Sequence, residues 1–130
     1  MGALEDVAAL FRVLMHPVRL AILEILRADE ECVCHMEATL GLRQAYISQH
    51  LIVLRDAGLV GVRRDGWNIY YRVTRPEIYA VIDAASLMLT QGDQERIGTS
   101  AIAPRPGTCN CPKCSVRLAS RWSCLANSTQ

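Results

Sequence analysis

Six cysteines are the most reactive groups in this 130-residue chain, and they are not scattered. Cys32 and Cys34 form a pair, Cys109, Cys111 and Cys114 form a cluster, and Cys124 stands apart. Clustered thiols in a chain with no secretion signal read as metal-binding or redox groups rather than a disulfide scaffold. Thiolate sulfur is a soft ligand that selects Cd(II), Pb(II), Zn(II), Cu(I) or the metalloids As(III) and Sb(III) over Mg and Ca. Two sulfurs do not complete such a site, because a trigonal ion needs three ligands and a tetrahedral one four.

A second set of residues has different chemistry. Gln44, Tyr46, Ser48, Gln49 and His50 are interleaved with Ala45, Ile47, Leu51 and Leu54, so one face of a helix is apolar and the other rich in hydrogen-bonding groups. Gln pairs bidentately with adenine, and Ser and His serve base edges or phosphates. Arg43 at the helix start suits a phosphate or guanine, and Arg63 and Arg64 further on suit backbone or minor groove. Charge distribution agrees. Residues 1–31 hold three Arg against six acids, residues 32–75 hold six Arg against three, and the whole chain is only +1.

Hydrophobic residues at 51% and charged ones at 21% describe a globular chain, and 5% aromatics require an aliphatic core. No apolar run approaches 18 residues and the first six carry two acids, so the expectation is a cytoplasmic protein without a membrane span or signal peptide.

The elements that must position these groups follow from periodicity. Apolar residues at 4, 7, 8, 11, 14 and 15 make an amphipathic helix that His16-Pro17 ends. Pro17 suits the first turn of a second helix burying Val18, Ala21, Ile22, Ile25 and Leu26. The acidic stretch Asp29-Glu30-Glu31 separates it from a short helix over about 34–40, which Gly41 stops. The polar-faced helix over 43–57 follows closely and ends at Gly58, with Leu42 pinning the turn. Period two then takes over: Val60 and Val62, a tight turn at Asp65-Gly66, then Ile69, Tyr71 and Val73. Trp67 at the tip either wedges against DNA sugar or covers the hairpin, the second being favoured. Thr74 to Glu77 reads as a capping box opening a last helix, whose Ile78, Tyr79, Ile82, Ala85, Met88 and Leu89 exceed what a small domain buries for itself. Residues 1–90 thus form one domain, 91–108 a Gly- and Pro-punctuated linker, and 109–130 a Cys-rich tail.

The fold class is mainly α with a β-hairpin wing, a winged helix-turn-helix. The run His16-Pro17-Val18-Arg19-Leu20-Ala21-Ile22-Leu23, Cys32-Val33-Cys34, the segment from Gln44 to Leu51 with Leu54 to Val60 behind it, and Tyr70-Tyr71-Arg72 resemble the ArsR/SmtB family of bacterial repressors. The resemblance covers about residues 4–90 and not the tail. It implies a homodimer through the first and last helices, bound to double-stranded operator DNA without metal and released when an ion binds. It also implies Cys32 and Cys34 as ligands.

Relatives complete such a thiol site from an N-terminal arm, but the arm here is short and has no cysteine. One reading therefore brings Cys109, Cys111 or Cys114, from the same or the partner subunit, back onto Cys32 and Cys34. A second gives the tail thiols, with or without Cys124, a site of their own, and a third leaves the thiols inert. His35 is a borderline ligand, a donor behind the ligands, or an exposed helix-start histidine, the commoner case. The family's further site of paired Asp and His on the last helix has only Asp83 here and no histidine, so its absence is expected, and the inducer shifts from Zn(II) towards softer ions. Cys111-Pro112-Lys113-Cys114 has thioredoxin spacing, but no βαβ pattern or activating base accompanies it, so an enzyme is not expected. The alternatives are a thiol-redox repressor using the same cysteines and a constitutive DNA-binding module with a structural zinc tail.

Overall fold

Pro17 sets the division between the first two helices. In a computed structural model, which describes residues 2–90 and Pro112, α1 spans Gly2–Leu14 and α2 spans Pro17–Ile25. The linker and the cysteines at 109, 111, 114 and 124 lie outside the described residues. His16 adopts an extended conformation and its Nδ1 accepts the Val18 amide at 3.2 Å, so a histidine caps α2 while Pro17 occupies its first turn.

The chain continues through β1 (Glu31–Cys32), α3 (Val33–Leu40), α4 (Gln44–Asp56), β2 (Val60–Asp65), β3 (Asn68–Val73) and α5 (Ile78–Leu89). Gly41 ends α3 at φ 67°, a left-handed conformation that costs glycine little. Gly58 does the same after α4: its amide donates to Arg55, and the Leu59 amide donates to the Leu54 carbonyl at 3.0 Å. This paired closure satisfies the last carbonyls of the helix and turns the chain into the sheet.

The hairpin is joined by an element that periodicity did not disclose. β1 pairs antiparallel with β3, Glu31 opposite Tyr71 and Cys32 opposite Tyr70, giving a three-stranded sheet in the order β1-β3-β2. Two residues are too few for alternation to register. Asp65 pairs with Asn68, so the turn is Gly66-Trp67. Trp67 is fully exposed, which overturns the expectation that it covers the hairpin: a two-residue loop ends beyond the strands' side-chain faces. The capping box at Thr74 is also corrected. The Thr74 hydroxyl donates to the Gly58 carbonyl at 2.8 Å, and α5 begins after Glu77 without a side-chain cap.

Ile22 and Leu23 of α2, Met36 of α3 and Ile47, Leu51 and Leu54 of α4 are fully buried against one another. At about 1.5–3 kcal/mol per buried aliphatic side chain, this cluster fixes α4 on α2 and α3. The outer faces of α1 (Leu4, Val7, Phe11) and of the end of α5 (Leu87, Met88, Leu89) stay exposed in the single chain. No helix among the described residues is long and apolar enough to cross a membrane.

Candidate DNA interface and thiol centre

The helix α4 meets α3 through Leu42, which is half-buried against the core, and presents its polar face outward. Arg43 is the N-cap residue and makes no side-chain capping bond. Arg43, Gln44, Tyr46 and Gln49 are exposed and Ser48 is half-buried. His50 is not on this face. It is 7% exposed, its Nδ1 accepts from Arg19 Nε at 3.2 Å, and its ring packs against His16 and Tyr46. The expectation that His50 contacts DNA is corrected for a geometric reason: it follows Ile47 by three residues and precedes Leu54 by four, on the buried side. Burial, then the neighbouring His16 and Arg19, push its pKa below the ordinary imidazole range.

Arg63 and Arg64 are adjacent on β2 and so project to opposite faces of the wing. Arg63 Nε donates to Glu30 Oε1 at 3.0 Å, and its guanidinium lies 4.9 Å from the centre of the Tyr70 ring. Glu30 holds Arg63 more firmly in its charged form. Arg64 is exposed and makes no ion pair among the described residues. The acidic stretch that separates α2 from the cysteines thus also supplies the carboxylate that pairs with Arg63.

The thiol pair sits at the joint between wing and helix-turn-helix. Cys32 belongs to β1 and is also the N-cap of α3, its Sγ accepting the His35 amide at 3.4 Å. Cys34 lies in the first turn of that helix, and the two Sγ atoms are 3.0 Å apart, not joined in a disulfide. Cys32 is buried with Tyr70, and Cys34 and Ala38 pack against them. Two soft donors side by side fit part of the coordination of a thiophilic ion. Among the described residues no group of three or more His, Cys, Asp or Glu side chains gathers to hold one. His35 is 6% exposed with Nδ1 3.8 Å from Glu31 Oε2, which corrects the view of it as an exposed helix-start residue: β1 tucks this turn under the wing. On α5, Asp83 accepts from Arg27 at 2.8 and 3.1 Å, which ties α5 to α2.

A helix pair with an outward polar face, followed by a basic hairpin, defines a winged helix-turn-helix DNA-binding regulator. The model of bacterial regulatory proteins of the arsR family matches residues 16–62. Over 79 residues the chain is 40% identical to the biofilm growth-associated repressor of Agrobacterium fabrum, covering 61% of this chain and 68% of that one. It is 38% identical over 78 residues to the arsenic resistance transcriptional regulator ArsR1 of Pseudomonas putida, covering 60% of each. Among solved structures it is similar to a homodimeric winged helix-turn-helix DNA-binding domain of Mycobacterium bovis, a possible ArsR-family regulator, with TM-score 0.62 and 27% identity over 73% of this chain and 92% of that one. The chain belongs to the ArsR/SmtB family of transcriptional repressors, which are DNA-binding regulators and not enzymes.

Proposed function

We propose that this repressor leaves its double-stranded operator when a thiophilic metal or metalloid ion binds the thiolates of Cys32 and Cys34. As(III), Sb(III), Cd(II) and Pb(II) are favoured over Zn(II) and Cu(I). The observation that carries the reading is the 3.0 Å separation of the two sulfurs where β1, which pairs with the wing strand β3, runs into α3. Cys32 and Cys34 would hold a thiophilic ion as two thiolate ligands, which leaves at least one further ligand to be supplied. We infer that a tail thiol, Cys109, Cys111 or Cys114, supplies the third ligand, the alternative being a separate site held by the tail thiols themselves. The exposed recognition face (Arg43, Gln44, Tyr46, Ser48, Gln49) reads bases and phosphates. Arg64 meets the backbone, and Arg63 does so only when Glu30 gives way.

Coupling of ion to DNA runs through residues with two duties. Cys32 caps α3 with its sulfur and pairs with Tyr70 on β3 through its backbone. Drawing that sulfur into a coordination shell competes with the cap and pulls on the wing strand. Release follows only if the ion binds the DNA-incompetent form more tightly.

The same separation supports a second reading, in which an oxidant takes two electrons and two protons from the pair to form a disulfide. Anaerobic titration of reduced full-length protein, read by sulfur-to-metal charge-transfer absorbance, separates the two. One ion bound per protomer, lost in Cys32→Ser and Cys34→Ser, supports the ion reading. Absence of stoichiometric binding overturns it and leaves the redox repressor. Binding that survives both substitutions moves the site to the tail.

A further inference from the structure

Arg19 ties three helices together. Its Nη1 donates to the Val13 carbonyl at 3.0 Å, at the end of α1, and its Nε donates to His50 Nδ1 at 3.2 Å, on α4. A guanidinium has no acceptor, so His50 Nδ1 must carry a lone pair, and the single proton of the neutral ring sits on Nε2. His16 is fixed in the same way, because its Nδ1 accepts the backbone amide of Val18. Both histidines are therefore acceptors for donors that cannot reverse. The two imidazole rings lie 4.3 Å apart between centroids, tilted by 43°, and Tyr46 on the DNA-facing side meets His50 edge-on at 4.7 Å.

We propose that Arg19, His16 and His50 form a positioning latch that holds the recognition helix in its reading pose only while the His50 imidazole is neutral, making operator binding proton-sensitive independently of the thiols. Protonating His50 at Nδ1 turns an N–H against the Arg19 N–H. The groups facing it are His16 from the junction of α1 and α2, Arg19 from α2, and Tyr46 from its own helix, and none is an acid. Its Nε2 is buried with no hydrogen-bond partner among the described residues, so the imidazolium gains no bond there to offset the loss. Tyr46 is the residue through which the latch reaches DNA: its ring rests on His50, so a displaced imidazole re-aims it.

The sign follows from the environment. The folded site favours neutral His50, so the latch holds above the ordinary imidazole range and fades as pH falls through it. With an unlatched pKa of about 6.5, lowering pH from 7.5 to 5.5 costs up to about tenfold in latched population per protomer.

The test is operator affinity by fluorescence anisotropy from pH 5.5 to 8 at constant ionic strength, with reduced full-length protein. Wild type is expected to lose affinity towards pH 5.5, by up to about tenfold per protomer. His50→Gln, whose amide oxygen accepts from Arg19 but does not titrate, should bind normally at pH 7.5 with a flattened profile. Cys32→Ser/Cys34→Ser should keep the wild-type slope. A packing role alone would lower affinity equally at every pH, and a His50→Gln profile as steep as wild type overturns the proposal. Proton NMR of the wild-type imidazoles covers the case of unfolded variants: a His50 midpoint below about 6.5 supports the latch, and one at or above it overturns it.

Discussion

Removing the charge of Glu30 while keeping its shape should strengthen DNA binding, although the residue belongs neither to the recognition helix nor to the wing hairpin. Glu30 accepts from Arg63 Nε at 3.0 Å and from Nη2, so a guanidinium suited to a phosphate is already engaged by a carboxylate. DNA must displace Glu30 to use Arg63, and the carboxylate left behind then faces the backbone. Glu30→Gln frees Arg63 for one more phosphate contact per protomer. Each such contact steepens the slope of log affinity against log salt by about 0.9, so going from 200 to 50 mM salt should add about 3.5-fold per protomer beyond the wild-type gain. The assay is anisotropy of a labelled operator over that salt range. Arg63→Ala should cancel the gain in the Glu30→Gln background and have little effect in wild type, whereas Arg64→Ala should lower the slope in both. An unchanged slope in Glu30→Gln, or weaker binding at every salt, would refute the claim that Glu30 restrains Arg63.

Other outcomes follow from the packing. A Cβ at Gly61 would lie 2.8 Å from Thr74 Cγ2, and Thr74 is held by its hydroxyl on Gly58 and its amide on Leu59, so Gly61→Ala should cost about 1–3 kcal/mol in urea denaturation; an unchanged midpoint contradicts this. The Tyr79 hydroxyl donates to the Leu23 carbonyl at 2.6 Å, and burial pushes its pKa up to about 12. The folded state thus keeps this proton where the unfolded chain loses it, so stability should fall from about pH 10 to 12 and fall less in Tyr79→Phe, as read by thermal denaturation. Leu87 is 72% exposed in the single chain; we propose that a homodimer through α1 and α5 covers it, so Leu87→Glu should give monomer in sedimentation velocity where wild type gives dimer, and an unchanged sedimentation coefficient contradicts this.

Long periodic segments and punctuating residues were the legible part of the fold. Pro17, Gly41 and Gly58 each act through backbone geometry that any reader of the sequence can apply, and the helices they bound stand where the apolar spacing puts them. Leu23 shows the limit: it falls off the stripe of Val18, Ile22 and Ile25, yet is fully buried because α2 is packed on more than one side. Strand β1 was illegible because two residues carry no period, and its pairing with β3 is a long-range event. For the site, an interleaved polar face marks a recognition helix but does not say which polar residue turns inward. His50 is acceptor to Arg19, 31 residues earlier, and that partnership leaves no local trace. The same is true of Arg63, whose partner Glu30 is 33 residues away. Cys32 and Cys34 were legible as a pair because their chemistry is local, and their tie to the wing was not.

The central claim is that the Cys32 and Cys34 thiols convert ion binding into loss of DNA. Its most direct test is anaerobic titration of the reduced protein on a labelled fragment of its own promoter, adding As(III), Sb(III), Cd(II), Pb(II), Zn(II) and Cu(I) singly. Wild type and Cys32→Ser/Cys34→Ser are compared. The account predicts that at least one of the softer ions releases wild type while leaving the variant bound. Equal release of both proteins, or no release of wild type by any ion, would contradict it.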